Sequence, residues 1–116
     1  EISVLEADDV TTAGAPAEGQ TYMAATNFLL TPGEYDFGGG QDRYAIVMKG
    51  LTAADGVLTE EAAMDLLAAC AQEPHLNSRG EESATQWSVV YNLDEPGATI
   101  AVGMDYEDVF EVSLAE

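Results

Sequence analysis

The stretch Trp87-Ser88-Val89-Val90-Tyr91-Asn92-Leu93 decides the fold class of this chain. Trp87, Val89, Tyr91 and Leu93 alternate with Ser88, Val90 and Asn92, the period of two that a strand imposes by sending successive side chains to opposite faces. Asp94-Glu95-Pro96-Gly97 follows as a turn, and Ala98, Ile100, Val102 and Met104 resume the alternation. After an acidic turn, Phe110, Val112 and Leu114 mark a third strand. Consecutive strands with short connections make an antiparallel meander.

Upstream of the meander the period becomes helical. Thr59 can cap free backbone N–H groups, and Glu60 and Glu61 occupy a first turn where the helix dipole favours negative charge. Ala63, Leu66, Leu67, Cys70 and Ala71 then line one face, and the helix should stop before Pro74. An earlier helix is predicted from Gln41 or Asp42, with the Asp42 carboxylate as a capping group. Its apolar stripe is Tyr44, Val47, Met48 and Leu51, and Asp55-Gly56 ends it. Thr21 to Leu30 reads as a well-buried strand, closed by Thr31-Pro32-Gly33, and residues 11–20 read as a small-residue loop. Ile2, Val4 and Leu5 suffice for a short strand, while residues 73–85 read as polar and irregular. Two helices between early strands and a late meander predict a two-layer α+β unit.

A length of 116 residues allows one domain with one modest core. Its 22 acidic residues against Arg43, Lys49 and Arg79 give a net charge of -19. Such a surface repels phosphate backbones and anionic headgroups, so neither nucleic acid nor membrane is expected as a partner. No apolar run approaches the ~20 residues of a membrane span. The apolar fraction of 47% opposes disorder, and the expectation is a folded, acidic, soluble domain. One cysteine excludes an internal disulfide and any multi-cysteine metal site. The chain opens Glu1-Ile2-Ser3-Val4 without a secretory signal or a Met, so the expectation is a processed or truncated product. The compartment stays open, with the cytoplasm favoured.

The motifs of common chemistries are missing. Gly38-Gly39-Gly40 lacks the spacing and the lysine of a phosphate loop and reads as a turn. Asp105, Glu107, Asp108 and Glu111 do not follow calcium-loop spacing and read as a solvated turn. His75 has no partner within motif distance, and Cys70 sits on an apolar stripe near a helix C-terminus, where a thiol is a small hydrophobe. No metal or cofactor is expected. Two residues stand out. Asn27 is an amide among apolar neighbours, suited either to a cross-strand hydrogen bond or to donating to an oxyanion. Arg43 is a cation at a helix start, suited to a salt bridge or to a site.

The order of segments adds a resemblance. Ala25-Thr26-Asn27-Phe28, Gln41-Asp42-Arg43-Tyr44 and Leu58-Thr59-Glu60-Glu61 come first, then Thr85 to Leu93. Val102-Gly103-Met104-Asp105-Tyr106 and Phe110 to Leu114 complete the series. This succession, from Thr21 to Leu114, resembles the C-terminal part of the linear amide C–N hydrolases, the choloylglycine hydrolase and penicillin V acylase family. It is also similar to the related acyl-coenzyme A:6-aminopenicillanate acyltransferases. The resemblance implies an N-terminal-nucleophile fold, an αββα sandwich of which this chain supplies roughly one half. It implies Asn27 as an oxyanion-hole amide and Arg43 as part of the active-site polar network. The family's nucleophile is an N-terminal cysteine, and Glu1 stands at the start here.

The resemblance therefore implies a fragment of an amidase acting on bile-salt conjugates, penicillin V-like amides or N-acyl amides, inactive alone. The expected partners are a small-molecule amide and the missing N-terminal half, or else self-association over an exposed apolar sheet face. Acyl transfer and a non-catalytic acidic protein-binding domain are the alternatives.

Overall fold

The computed structural model describes residues 4–5, 12–14, 18–30 and 33–114, the first two stretches as backbone only. The chain forms two compact units, Glu1–Val57 and Leu58–Glu116. Helices and antiparallel strands both occur, so the fold class is α+β.

In the first unit, β1 (Val4–Leu5) pairs antiparallel with β2 (Thr12–Gly14). The second of these lies where a loop is predicted; Ile2 lies outside the described residues. The helix α1 (Gln41–Ala53) begins where expected, but its N-cap is Gly40 in the left-handed region with no side-chain cap. Asp42 sits inside the first turn, placed for the helix dipole rather than for capping. Tyr44, Val47, Met48 and Leu51 are half-buried, and no residue of α1 is fully buried. The predicted strand Thr21–Leu30 is not formed: only Asn27 pairs, in an isolated bridge to Gly39. An apolar run marks a contact surface, but among the described residues no strand pairs along it beyond that bridge.

In the second unit, α2 (Glu60–Ala69) is capped as read, with the Thr59 hydroxyl accepting from the Ala62 N–H at 3.1 Å. Met64 is the buried residue of this helix. The region predicted as irregular contains a small hairpin, β3 (His75–Leu76) with β4 (Glu82–Ser83). Asn77 closes it: its Oδ1 accepts from the N–H groups of Arg79 and Glu81, a polar turn that hydrophobic periodicity does not register.

The meander forms as read, from β5 (Trp87–Asn92), β6 (Gly97–Val102) and β7 (Phe110–Ser113) in the order β5-β6-β7. Register fixes the composition of its two faces. Trp87 opposes Val102, Val89 opposes Ile100, and Tyr91 opposes Ala98. On the other side of β6, Ile100 opposes Phe110 and Ala98 opposes Val112. Directly opposed residues share a face, so this one is apolar throughout. The opposite face carries Ser88, Val90 and Asn92, then Ala101, Thr99 and Gly97, then Glu111 and Ser113.

The helix covers the mixed face. Glu60, in the first turn of α2, accepts from Asn92 Nδ2 at 2.5 Å and from Thr99 Oγ1 at 3.3 Å, tying the helix to two strands. Ala101 is fully buried there, and Ser88 is buried with its hydroxyl 3.0 Å from the Tyr106 phenol. The apolar face remains open: Trp87 is 66% exposed, Tyr91 67% and Phe110 58%.

Glu60 is the polar clamp of this unit, and its two bonds are charge-assisted but exposed. Glu60→Ala is expected to lower stability by about 1 kcal/mol in denaturant titrations. Glu61→Ala, with no such bonds to the sheet, is expected to stay within about 0.5 kcal/mol of the parent; equal losses would remove the clamp.

Candidate functional site

The sequence-predicted residues Asn27 and Arg43 belong to one small constellation in the first unit. The segment 21–30 runs antiparallel beside α1. At its start the Tyr22 phenol lies 3.0 Å from the Thr52 hydroxyl, near the helix C-terminus. Further along, Thr26 Oγ1 donates to the Gly40 carbonyl at 3.0 Å, and the Gly39 N–H donates to the Asn27 carbonyl at 2.9 Å. Phe28 then meets Tyr44 edge-to-face, with ring centroids 5.2 Å apart.

The glycine run makes this approach possible. Gly38 has φ of +93°, and a Cβ there would lie 2.8 Å from the Asn27 carbonyl oxygen. Gly40 has φ of +84°, and its Cβ would lie 2.6 Å from Arg43 Nη2. The run is a close-packing device that lets two backbones meet, rather than the plain turn read from sequence.

Arg43 Nη2 donates to Asn27 Oδ1 at 2.6 Å. A guanidinium offers donors only, so the amide must turn its oxygen toward Arg43. Its NH2 group is then directed elsewhere, and Asn27 is exposed, so this donor is open to a ligand. Arg43 is half-buried, and its Nε is buried with no hydrogen-bond partner. In a chain of 22 acidic residues, Arg43 makes no ion pair among the described residues and bonds a neutral amide instead. The one ion pair among the described residues is the exposed Arg79–Glu81 contact at 3.2 Å. Asn27, expected as a buried strand amide, is exposed, and its backbone rather than its side chain makes the bridge to Gly39.

The remaining polar candidates are structural. Cys70 is the C-cap of α2, half-buried, with its thiol donating to the Leu67 carbonyl at 3.4 Å. His75 is exposed, its Nδ1 2.8 Å from the Glu73 carbonyl. Asp105 Oδ1 accepts from the Asp108 N–H at 3.3 Å, as an acidic turn does. No group of three or more metal-ligating side chains forms among the described residues. No helix among them is long and apolar enough to cross a membrane. A groove of about 740 Å³ lies beside the start of α2 and the strands β6 and β7. Glu60, Glu95 and Glu111 line it, and neither Asn27 nor Arg43 does. Carboxylates do not stabilise a developing negative oxygen, so this groove does not suit an oxyanion site.

The sequence matches no family model, and comparisons with curated proteins and with solved structures find no match either. The constellation presents one amide N–H donor whose orientation is fixed by a neighbouring cation. That arrangement suits an anionic or developing anionic oxygen.

Sequence reasoning singled out both polar residues and missed the role of Gly40. The available signal was its place immediately before the helix, next to Arg43 in the folded chain. Gly40→Ala is expected to cost about 1–2 kcal/mol from left-handed strain and to displace the Arg43 guanidinium. Gly39→Ala, with nothing within 4 Å of its added carbon, is expected to be nearly neutral. Thermal melts compare stability, and the Asn27 side-chain amide resonances report the displacement. Indistinguishable behaviour of the two variants would refute the close-approach argument.

Proposed function

We propose that this chain carries the oxyanion-donor portion of a cysteine-nucleophile amidase that cleaves linear, non-peptide C–N amide bonds. The reading rests on the resemblance given above, and one observation carries it into chemistry: the 2.6 Å bond from Arg43 to Asn27 Oδ1. That bond leaves Asn27 Nδ2 as an oriented donor. The layering of the second unit also supports it. A sheet covered by a helix on one face and apolar on the other is what half of an αββα sandwich requires.

In this reading a thiolate adds to the amide carbonyl and the carbonyl π electrons move onto oxygen. Asn27 Nδ2–H donates to that oxygen, while Arg43 holds the amide against rotation. Collapse of the tetrahedral adduct, with the proton that the thiol gave up delivered to the leaving nitrogen, expels the amine and leaves a thioester. Water releases the acid in a hydrolase; an amine accepts the acyl group in an acyltransferase. The thiolate is not Cys70, whose Sγ is engaged with the Leu67 carbonyl inside the second unit. The nucleophile comes from polypeptide other than these 116 residues, and the chain alone is inactive. A second reading, a non-catalytic acidic protein-binding domain, is favoured by the open apolar face of the meander.

The test is amide turnover by the complete enzyme on penicillin V-like, bile-salt-conjugate and N-acyl amino acid substrates. Asn27→Ala is expected to lower kcat by roughly 10²–10³ with a smaller change in KM, the loss typical of one oxyanion donor. Undiminished kcat removes Asn27 from the site. Turnover by the isolated chain overturns the external nucleophile, and absence of turnover in the complete protein leaves the binding-domain reading standing.

A further inference from the structure

The sheet of the second unit exposes a face with no charged side chain. Its strands pair in full register, so Trp87, Tyr91, Val102 and Phe110 stand on one continuous surface, each more than half exposed. Isolated exposed hydrophobes need no explanation, but a contiguous apolar sheet face on a soluble chain marks an interaction surface. The charge around this face identifies what it meets. The connection between β5 and β6 carries Asp94 and Glu95, and the connection between β6 and β7 carries Asp105, Glu107 and Asp108, all exposed. Carboxylates therefore stand at both ends of the open face. No Lys, Arg or His follows Arg79 in the sequence, and Arg79 pairs with Glu81.

We propose that this face docks a basic polypeptide, one presenting an apolar strip flanked by Lys or Arg side chains. A second copy of this chain would bring the same carboxylates together, and like charges across an interface oppose association. Anionic lipid headgroups meet the same repulsion. An apolar centre with a cationic margin satisfies both features at once: the strip removes the open face from water, and the margin neutralises the turns. The partner lies against the face at about 10 Å, as a packed sheet does. The inference does not use Asn27; in the amidase reading the same face takes the facing sheet of the other half, and that sheet is then the basic polypeptide.

Trp87 is the single tryptophan and stands on the face, so its emission reports cover directly. The probe is a disulfide-closed β-hairpin of about 16 residues with Val and Ile on one face and Lys elsewhere; its counterpart carries Glu for Lys. The full chain alone is expected to show solvent-exposed, readily quenched Trp87 emission at every concentration. The Lys hairpin is expected to blue-shift and protect it, the Glu hairpin to leave it unchanged. Affinity for the Lys hairpin is expected to fall tenfold or more from ~10 mM to ~1 M salt, as the Debye length shrinks from about 30 Å to about 3 Å. Phe110→Glu, checked for folding by circular dichroism, is expected to abolish binding. The double variant Glu107→Lys, Asp108→Lys leaves the face intact and is expected to weaken it several-fold.

Equal binding of both hairpins would overturn the charge argument. Concentration-dependent burial of Trp87 in low salt would make the occupant a second copy. Burial already complete at high dilution would mean that the chain covers the face itself. Protection by anionic vesicles in place of the Lys hairpin would make the occupant a membrane surface.

Discussion

A β-sheet has two faces, and one ten-residue helix can cover only one of them. In the second unit that single constraint sets everything else. The helix lies on the mixed face because Glu60 anchors it to Asn92 and Thr99, polar groups that the apolar face cannot offer. The buried Ala101 then leaves room for close packing, and Ser88 must bond Tyr106 because its hydroxyl is taken out of water. The face with the larger apolar side chains is left to water. Strands of six, six and four residues span on the order of 260 Å², which is worth roughly 6 kcal/mol when removed from solvent. For a unit of this size that is comparable to its whole expected stability. Covering the open face would therefore add stabilisation on the scale of the unit's own.

The first unit solves a different problem. Its helix meets an irregular segment, through Tyr44 on Phe28 and Arg43 on Asn27, whose backbone groups need partners. Glycine supplies the proximity: without side chains at Gly38 and Gly40, the backbone around Asn27 reaches the helix start. The bridge to Gly39, the Thr26 hydroxyl on the Gly40 carbonyl, and the Arg43–Asn27 bond all follow from that approach. The same feature leaves α1 without a side-chain cap, a helix-stability loss offset by local tertiary bonds.

Legibility in the sequence follows from how each element is stabilised. The meander and α2 were readable because alternation and capping are local signals: Trp87 to Leu93 alternates whatever it packs on, and Thr59 caps its own helix. The hairpin at His75 and Ser83 was not readable, because it is held by Asn77 side-chain bonds and leaves no periodicity in two-residue strands. Thr21 to Leu30 misled because an apolar run records burial of some kind, while strand formation needs a partner that sequence does not reveal. Which face the helix takes was hidden too. Alternation identifies two faces and says nothing about the carboxylate of Glu60 choosing between them. For the site, Asn27 and Arg43 were legible as unusual residues, but their direct bond depends on a glycine-mediated contact across 16 positions.

The same charge imbalance runs through both units. Three cations serve a chain of net charge -19, so each has many carboxylates available in principle. Arg79 behaves accordingly and pairs with Glu81 at the surface, a contact of small energetic value. Arg43 does not: its Nε is buried without a partner and its Nη2 is directed at a neutral amide. Partial desolvation of a guanidinium is unfavourable, and a carboxylate would relieve it better than an amide does. A position optimised only for stability would place Asp or Glu at residue 27. With Asp there, the oxygen facing Arg43 would be retained and the neighbouring donor lost. Asparagine is thus the residue that keeps an N–H group available beside a fixed cation, the feature that the proposed oxyanion role of Asn27 would use.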